Sequence, residues 1–188
     1  MSTLPKNRRS LANTTDQIVY KIGGLERPSN DLITRILLNL NGLPVFGSSP
    51  LVKWALRKKF KFPASVKFNK GFYSSSRNLT VGENVSLCNV FILAYAPIII
   101  GENSGFSFNN TLISSTHDVN NFSTIIAKPI TIGKNVWITT NVTILSGVTI
   151  GDGTIIGAGS VVTRDIPSGV FAAGNPCRVI KKNHFKMN

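Results

Sequence analysis

The sequence predicts an all-β chain wound as a parallel β-helix of triangular section, with a helical extension before the coils and a short tail after them. Three observations predict it. From Ile132 an aliphatic residue returns at every sixth position, as Ile132, Ile138, Ile144, Ile150, Ile156 and Val162. Four positions after the first five of these stand Val136, Val142, Val148, Thr154 and Ser160, all small or branched. Glycine follows the anchor at Ile132-Gly133, Ile150-Gly151 and Ile156-Gly157. A period of six matches neither a helix nor an alternating strand. It fits a coil of three short flat faces, each anchored by one inward side chain, with roughly 18 residues per coil and coils about 4.8 Å apart.

The elements follow in chain order. Residues 1–63 form an N-terminal extension whose first twenty or so positions show little periodicity. Asp31 to Leu40 and Pro50 to Phe60 carry apolar residues at helical spacing, the first with Asn30 or Asp31 as N-cap, the second with Ser49 ahead of Pro50 at the first helical position. The apolar stretch from Leu32 to Phe46 is interrupted by polar residues and falls short of the ~20 residues that span a bilayer. No apolar run of signal-peptide type follows the basic start MSTLPKNRRSLANTTDQ, so a cytoplasmic chain is expected. Residues 64–175 form the β-helix. Its early block runs Val81-Gly82, Leu87, Leu93, Ile100-Gly101, Phe106 and Leu112, with one residue inserted near Ala96-Pro97. Between Leu112 and Ile132 the period fails, so a polar loop is extruded at about 113–130. Residues 176–188 are a tail, of which Ile180 to Lys186 lies against the last coil.

At 188 residues the chain suits one principal domain with an appended segment. Lys+Arg 21 against Asp+Glu 8 gives a net charge of +13, which points to an anionic partner. The basic residues gather at Lys53, Arg57, Lys58, Lys59, Lys61, Lys67 and Lys70, and again at Arg164, Arg178, Lys181, Lys182 and Lys186. Aromatic residues do not interleave with them as a stacking platform would, and no nucleic-acid motif is present, so specific nucleic-acid binding is not expected. Cys88 and Cys177 are read as two reduced, buried thiols.

The extruded segment reads SSTHDVNN and contains His117, one of only two histidines; the other is His184. An imidazole in a partly exposed loop suits removal of a proton from a hydroxyl. Asp118 beside it, or a backbone carbonyl, would orient the ring. A lone loop histidine is otherwise an ordinary polar surface residue.

The run from Ile132 to Lys182, IGKNVWITTNVTILSGVTIGDGTIIGAGSVVTRDIPSGVFAAGNPCRVIKK, resembles the C-terminal signature of the hexapeptide-repeat acyltransferases, among them the maltose, galactoside, Nod-factor and colanic-acid acetyltransferases. The resemblance covers roughly residues 64 to 182. It implies a left-handed coil, a homotrimer with active sites at subunit boundaries, acetyl-coenzyme A as acyl donor and no metal. His117, sixteen residues after Gly101 in the family's spacing, is then the general base that deprotonates the acceptor. Trp137 matches the tryptophan expected near the thioester. Thr140 matches a pantetheine contact whose backbone N–H also suits an oxyanion. Ala158 matches a second pantetheine contact, and Thr163, Arg164 and Lys181 match positions at the adenine and phosphate end of coenzyme A.

Where the maltose and galactoside branch places an acceptor-binding Asn and Asp, this chain has Leu87 and Tyr95, and the nearest amide to the first is Asn89. Asn89, Tyr95 and Asp118 are therefore the candidate acceptor contacts. The long N-terminal extension looks more like the colanic-acid type, which implies a sugar, glycan unit, nucleotide sugar or lipid-linked acceptor. The helix carrying Trp54, Lys53, Arg57, Lys58 and Lys59 either packs on the coil with its lysines in solvent or rests on the anionic inner face of the membrane. Two other readings share the architecture: N-acetylation of an amino sugar, and a non-catalytic scaffold. A zinc-dependent γ-class carbonic anhydrase would need three histidines per metal, more than the chain contains.

Overall fold

The structure is a computed structural model that describes residues 17–22 and 27–183. It begins with strand β1 (Ile18–Lys21) and two helices, α1 (Leu32–Gly42) and α2 (Pro50–Phe60). Asp31 caps α1, its carboxylate accepting the Thr34 backbone N–H at 2.9 Å. Ser49 makes no side-chain cap, and α2 instead ends on Lys61 in the left-handed region, behind Arg57, Lys58 and Lys59 in the last turn. Leu38, Val52, Leu56 and Phe60 join the coils in one contiguous core. Phe60, Phe62, Phe68 and Phe72 pack ring to ring, with neighbouring centroids from 5.2 to 6.2 Å apart, where the helices meet the coils.

The coils follow as β2 (Tyr73–Ser74), β3 (Leu79–Val81), β4 (Phe91–Leu93), β5 (Ile98–Ile100), β6 (Gly105–Phe106) and β7 (Thr111–Ile113). A hairpin of β8 (Ser115–His117) and β9 (Thr124–Ala127) interrupts them. They resume as β10 (Ile130–Ile132), β11 (Trp137–Ile138), β12 (Thr143–Ile144), β13 (Thr149–Ile150), β14 (Ile155–Ile156), β15 (Val161–Val162) and β16 (Val170–Ala173), and β17 (Arg178–Lys182) closes the described chain. Three parallel sheets form the faces of a prism. The first is β3-β5-β10-β13, the second runs β6-β11-β14-β16 with β17 antiparallel at its edge, and the third is β2-β4-β7-β12-β15.

The six-residue anchors stack in register, Ile100 on Ile132 on Ile150, Phe106 on Ile138 on Ile156, and Leu112 on Ile144 on Val162, all buried. Val136, Val142, Val148, Thr154 and Ser160 are buried as well. The chain turns between faces through residues at positive φ: Asn135, Asn141, Gly147, Gly153 and Gly159. Only Gly, and Asn at modest cost, enters that region readily, so this is a second six-residue signal in the same sequence. The Ile-Gly pairs of the first sheet have a separate cause. A Cβ on Gly101 would lie 2.6 Å from the Gly133 carbonyl carbon, so the coils cannot approach there with a larger residue.

The structure corrects the sequence reading in four places. Ile92, fully buried and paired with Leu112, is the inward residue of β4, and Leu93 is half-buried and turned outward. The irregularity is therefore a short step from Leu87 to Ile92 followed by a longer one to Ile100, with Ala94 and Ala96 buried in the bend. The segment at 113–130 is an ordered hairpin to which β1 adds as a third strand, so the first twenty residues contain an element that periodicity did not reveal. The tail is a strand from Arg178, while His184 and the residues after it lie outside the described part. Cys177 is buried, but Cys88 is half-buried at a turn with φ of 46°; both thiols are free.

Candidate active site

The chain passes from the second sheet to the third at a near edge of the prism and from the third back to the first at a far edge. The far edge holds His117. The hairpin leaves the coils after β7 in the third sheet and rejoins at β10 in the first, and Ser114 ties its base down. The Ser114 hydroxyl receives the Ala96 N–H at 2.9 Å, and the Ser114 carbonyl accepts from the Ser146 hydroxyl at 3.0 Å.

At the tip of the hairpin His117 Nδ1 lies 2.9 Å from the Phe122 carbonyl oxygen, and its ring stacks on Phe122 with centroids 4.2 Å apart and planes 11° apart. A carbonyl only accepts, so Nδ1 carries the proton and Nε2 presents a lone pair. The half-buried imidazole is thus held in the tautomer that a base requires, by the backbone carbonyl that sequence reasoning offered as one of two orienting groups. Asp118 does something else. Its Oδ1 accepts the Asn120 backbone N–H at 2.8 Å and shapes the turn.

His117 pairs across the hairpin with Ile125, and Ile125 pairs with Tyr20 of β1. Residues directly opposite one another share a face, so Tyr20 stands on the histidine's side at about two strand spacings, ~10 Å. The Tyr20 hydroxyl donates to the Tyr95 carbonyl at 2.9 Å, and the two rings meet edge to face at 5.9 Å. Burial pushes the Tyr20 phenol above its ordinary pKa. Tyr95 in turn lines a cavity of about 530 Å³ between the coils, α1 and the segment before it.

The remaining candidates lie elsewhere. Gly105, Trp137, Ile155, Phe171 and Lys181 are strand partners in one row across the second sheet. Trp137 is 42% exposed and Lys181 is exposed, three strand spacings or about 14 Å away. Thr140 and Ala158 follow the second-sheet anchors by two positions each, and so stack at the near edge one coil apart, where the Gly159 N–H donates to the Thr140 carbonyl at 3.0 Å. The Thr140 hydroxyl is 2.9 Å from that of Ser107. Asn89 is also at the near edge, where it and Asn109 exchange hydrogen bonds of 2.8 Å. Thr163 and Arg164 are exposed at the far edge, after β15. One chain therefore brings Trp137, Thr140, Ala158 and Lys181 together on one side, and His117, Tyr95, Thr163 and Arg164 to another.

Residues 129–164 match the family described as bacterial transferase hexapeptide (six repeats). Galactoside O-acetyltransferase of Escherichia coli (strain K12) is 43% identical over 116 residues, 59% of this chain and 57% of the relative. A maltose O-acetyltransferase from Clostridium difficile 630 superimposes with a TM-score of 0.66 at 30% identity, over 81% of this chain and 86% of the other. A galactoside acetyltransferase in complex with coenzyme A does so with a TM-score of 0.64 at 34% identity, over 82% and 84%. The chain belongs to the hexapeptide-repeat acetyltransferases. It spans little more than half the length of the curated relatives it matches.

In this hexapeptide-repeat acetyltransferase two features of the site had no signal in the six-residue period. Tyr20 lies in a stretch with little pattern of its own, and the cavity below the hairpin joins residues from three separate segments. Val119 and Phe122 at the hairpin tip are 97% and 74% exposed, a large apolar presentation for so short a turn.

Proposed function

We propose that the protein transfers the acetyl group of acetyl-coenzyme A to a hydroxyl of a sugar or glycan precursor, with His117 as general base. The observation that carries this reading is the fixed tautomer of His117, whose Nδ1–H is committed to the Phe122 carbonyl. His117 Nε2 takes the acceptor's hydroxyl proton as its oxygen attacks the thioester carbonyl. Collapse of the tetrahedral intermediate then expels the thiolate of coenzyme A, which recovers the proton from the imidazolium. Trp137 and Thr140 flank the reacting end of the donor, Ala158 lines the pantetheine path, and Thr163, Arg164 and Lys181 meet the adenine and phosphates, where solvent screens the contact. The coenzyme A complex of the galactoside acetyltransferase relative supports this choice of donor. The coils are left-handed on this reading, as the resemblance implies.

The working unit is a homotrimer. Support comes from the separation of His117 at the far edge from Thr140 and Ala158 at the near edge, because a neighbouring copy that applies its near edge to the far edge of the first completes a site. The exposed Val119 and Phe122 suit that boundary. The test is release of free thiol from acetyl-coenzyme A with a panel of sugars and nucleotide sugars. The reading predicts turnover with at least one hydroxyl acceptor, lost in His117→Ala; acceptance of amino sugars alone would replace it with N-acetylation.

On this reading the enzyme works in the cytoplasm at the inner face of the membrane. Leu32, Ile33, Ile36, Val45, Leu51 and Trp54 are exposed on and between α1 and α2, and Lys58 continues the outward face of α2. Apolar residues beside cations suit the surface of an anionic bilayer. Sedimentation with phosphatidylglycerol vesicles but not with phosphatidylcholine vesicles is expected, and equal behaviour with both would reject the contact.

A further inference from the structure

The cavity beneath the His117 hairpin carries a chemical bias that the six-residue repeat does not explain. Its volume of about 530 Å³ lies in the range of small-ligand sites. Arg27 and Arg35 both line it, and among the described residues no carboxylate does. Asp31, four residues from each arginine, is engaged with Thr34, Lys59 and Arg77. Among the described residues neither Arg27 nor Arg35 has a carboxylate partner. Two guanidinium groups around one opening repel each other and make a positive field that an anion would neutralise.

The same cavity has the other features of a sugar site. Asn30, which lines it, is only 7% exposed; its Nδ2 donates to the Ser74 carbonyl at 2.6 Å, but its Oδ1 accepts no hydrogen bond among the described residues. A buried acceptor left without a donor is costly, so a polar side chain under strain stands in the wall of the cavity. Tyr73, which lines the cavity, is braced by stacking on Phe91, with centroids 5.1 Å apart and planes 10° apart. Asn39, one helical turn beyond Arg35, adds a second amide. Tyr95 joins the cavity to the histidine, because its carbonyl holds Tyr20 on the rung of His117.

We propose that this cavity binds the anionic group of an acidic acceptor, a sugar bearing a carboxylate or a phosphate, with Arg27 and Arg35 as the anion contacts. The proposal rests on the acetyltransferase reading for the word acceptor, but binding can be measured without turnover.

The test is titration calorimetry of the full chain with glucuronic acid, glucose 1-phosphate and glucose, alone and with coenzyme A present, followed by the same series for Arg27→Gln, Arg35→Gln and the double variant. Both arginines are exposed, so the substitutions leave the core intact. At least one of the two acidic sugars should bind tenfold or more tightly than glucose. That preference should fall with salt and disappear in the double variant, while coenzyme A binding stays unchanged. The better of the two acids tells a carboxylate acceptor from a phosphorylated one. Arginine-dependent binding without acetyl transfer would uphold the anion site and reject the acetyltransferase reading. Transfer to neutral sugars with no acidic preference, or a preference that survives loss of both arginines, would overturn the anion site and leave the acetyltransferase reading in place.

Discussion

Ala158→Glu and His117→Ala should each be inactive alone and active together. Ala158 is exposed at the near edge beside Gly159 and His117 is half-buried at the far-edge hairpin, so neither change touches the core. The glutamate places bulk and negative charge on the path assigned to the donor, and the alanine removes the base. If each site takes its histidine from one chain and its donor edge from the next, a randomly mixed trimer forms an intact boundary only where an Ala158→Glu chain supplies the histidine and a His117→Ala chain supplies the edge. Equal mixing gives a chance of one half for each, so about a quarter of boundaries are intact and activity returns to roughly 25% of the unsubstituted protein. The assay is thiol release after the two variants are denatured together, refolded and shown by native mass spectrometry to have exchanged subunits. Mixed trimers no more active than their parents would mean that both residues serve one chain's own site, and the boundary model would fall.

Three further outcomes follow from individual contacts. His117→Ala should lower kcat by about 10²- to 10⁴-fold with an unchanged melting temperature, and added imidazole should restore part of the loss; turnover at the parental rate would remove His117 from the chemistry. Gly101→Ala should destabilise the coil by about 1–3 kcal/mol in urea unfolding, because the new methyl would sit 2.6 Å from the Gly133 carbonyl carbon; Gly153→Ala, with open space around it but φ of 64°, should cost less. Asp31 titrates below the ordinary carboxylate range, chiefly because it accepts the Thr34 backbone N–H. A depressed carboxyl stabilises the fold above its unfolded pKa of about 3.9, and that support is lost as pH falls through the folded value. The melting-temperature gap between the parent and Asp31→Ala should therefore be wider at pH 7 than at pH 3, and a gap independent of pH would show that the cap's charge contributes nothing.

The sequence by itself determined the prism. Each inward position of a six-residue repeat stacks on its counterparts one coil away, so Ile132, Ile138 and Ile144 specify their surroundings locally and the period survives in the letters. The asparagines and glycines at positive φ, from Asn135 to Gly159, keep the same period, but the apolar anchors alone did not reveal it and the backbone angles did. Helices α1 and α2 were legible from apolar spacing and end signals, for the same local reason.

Only the tertiary structure decided where the period bends and what the bends hold. Ile92 and Leu93 are both aliphatic, and the choice between them depends on Leu112 one coil away and on Ala94 and Ala96 filling the far edge. Pairing of Ile18–Lys21 with Thr124–Ala127 joins segments about a hundred residues apart, and no propensity of either encodes the partner. The lock on His117 is a backbone carbonyl, which every residue possesses and no sequence can flag. Arg27, Asn30, Arg35, Tyr73 and Tyr95 come from three stretches that meet because the helices fold back on the first coils. A cavity is the space left between surfaces packed by other residues, so its lining and its charge exist only once those surfaces have met.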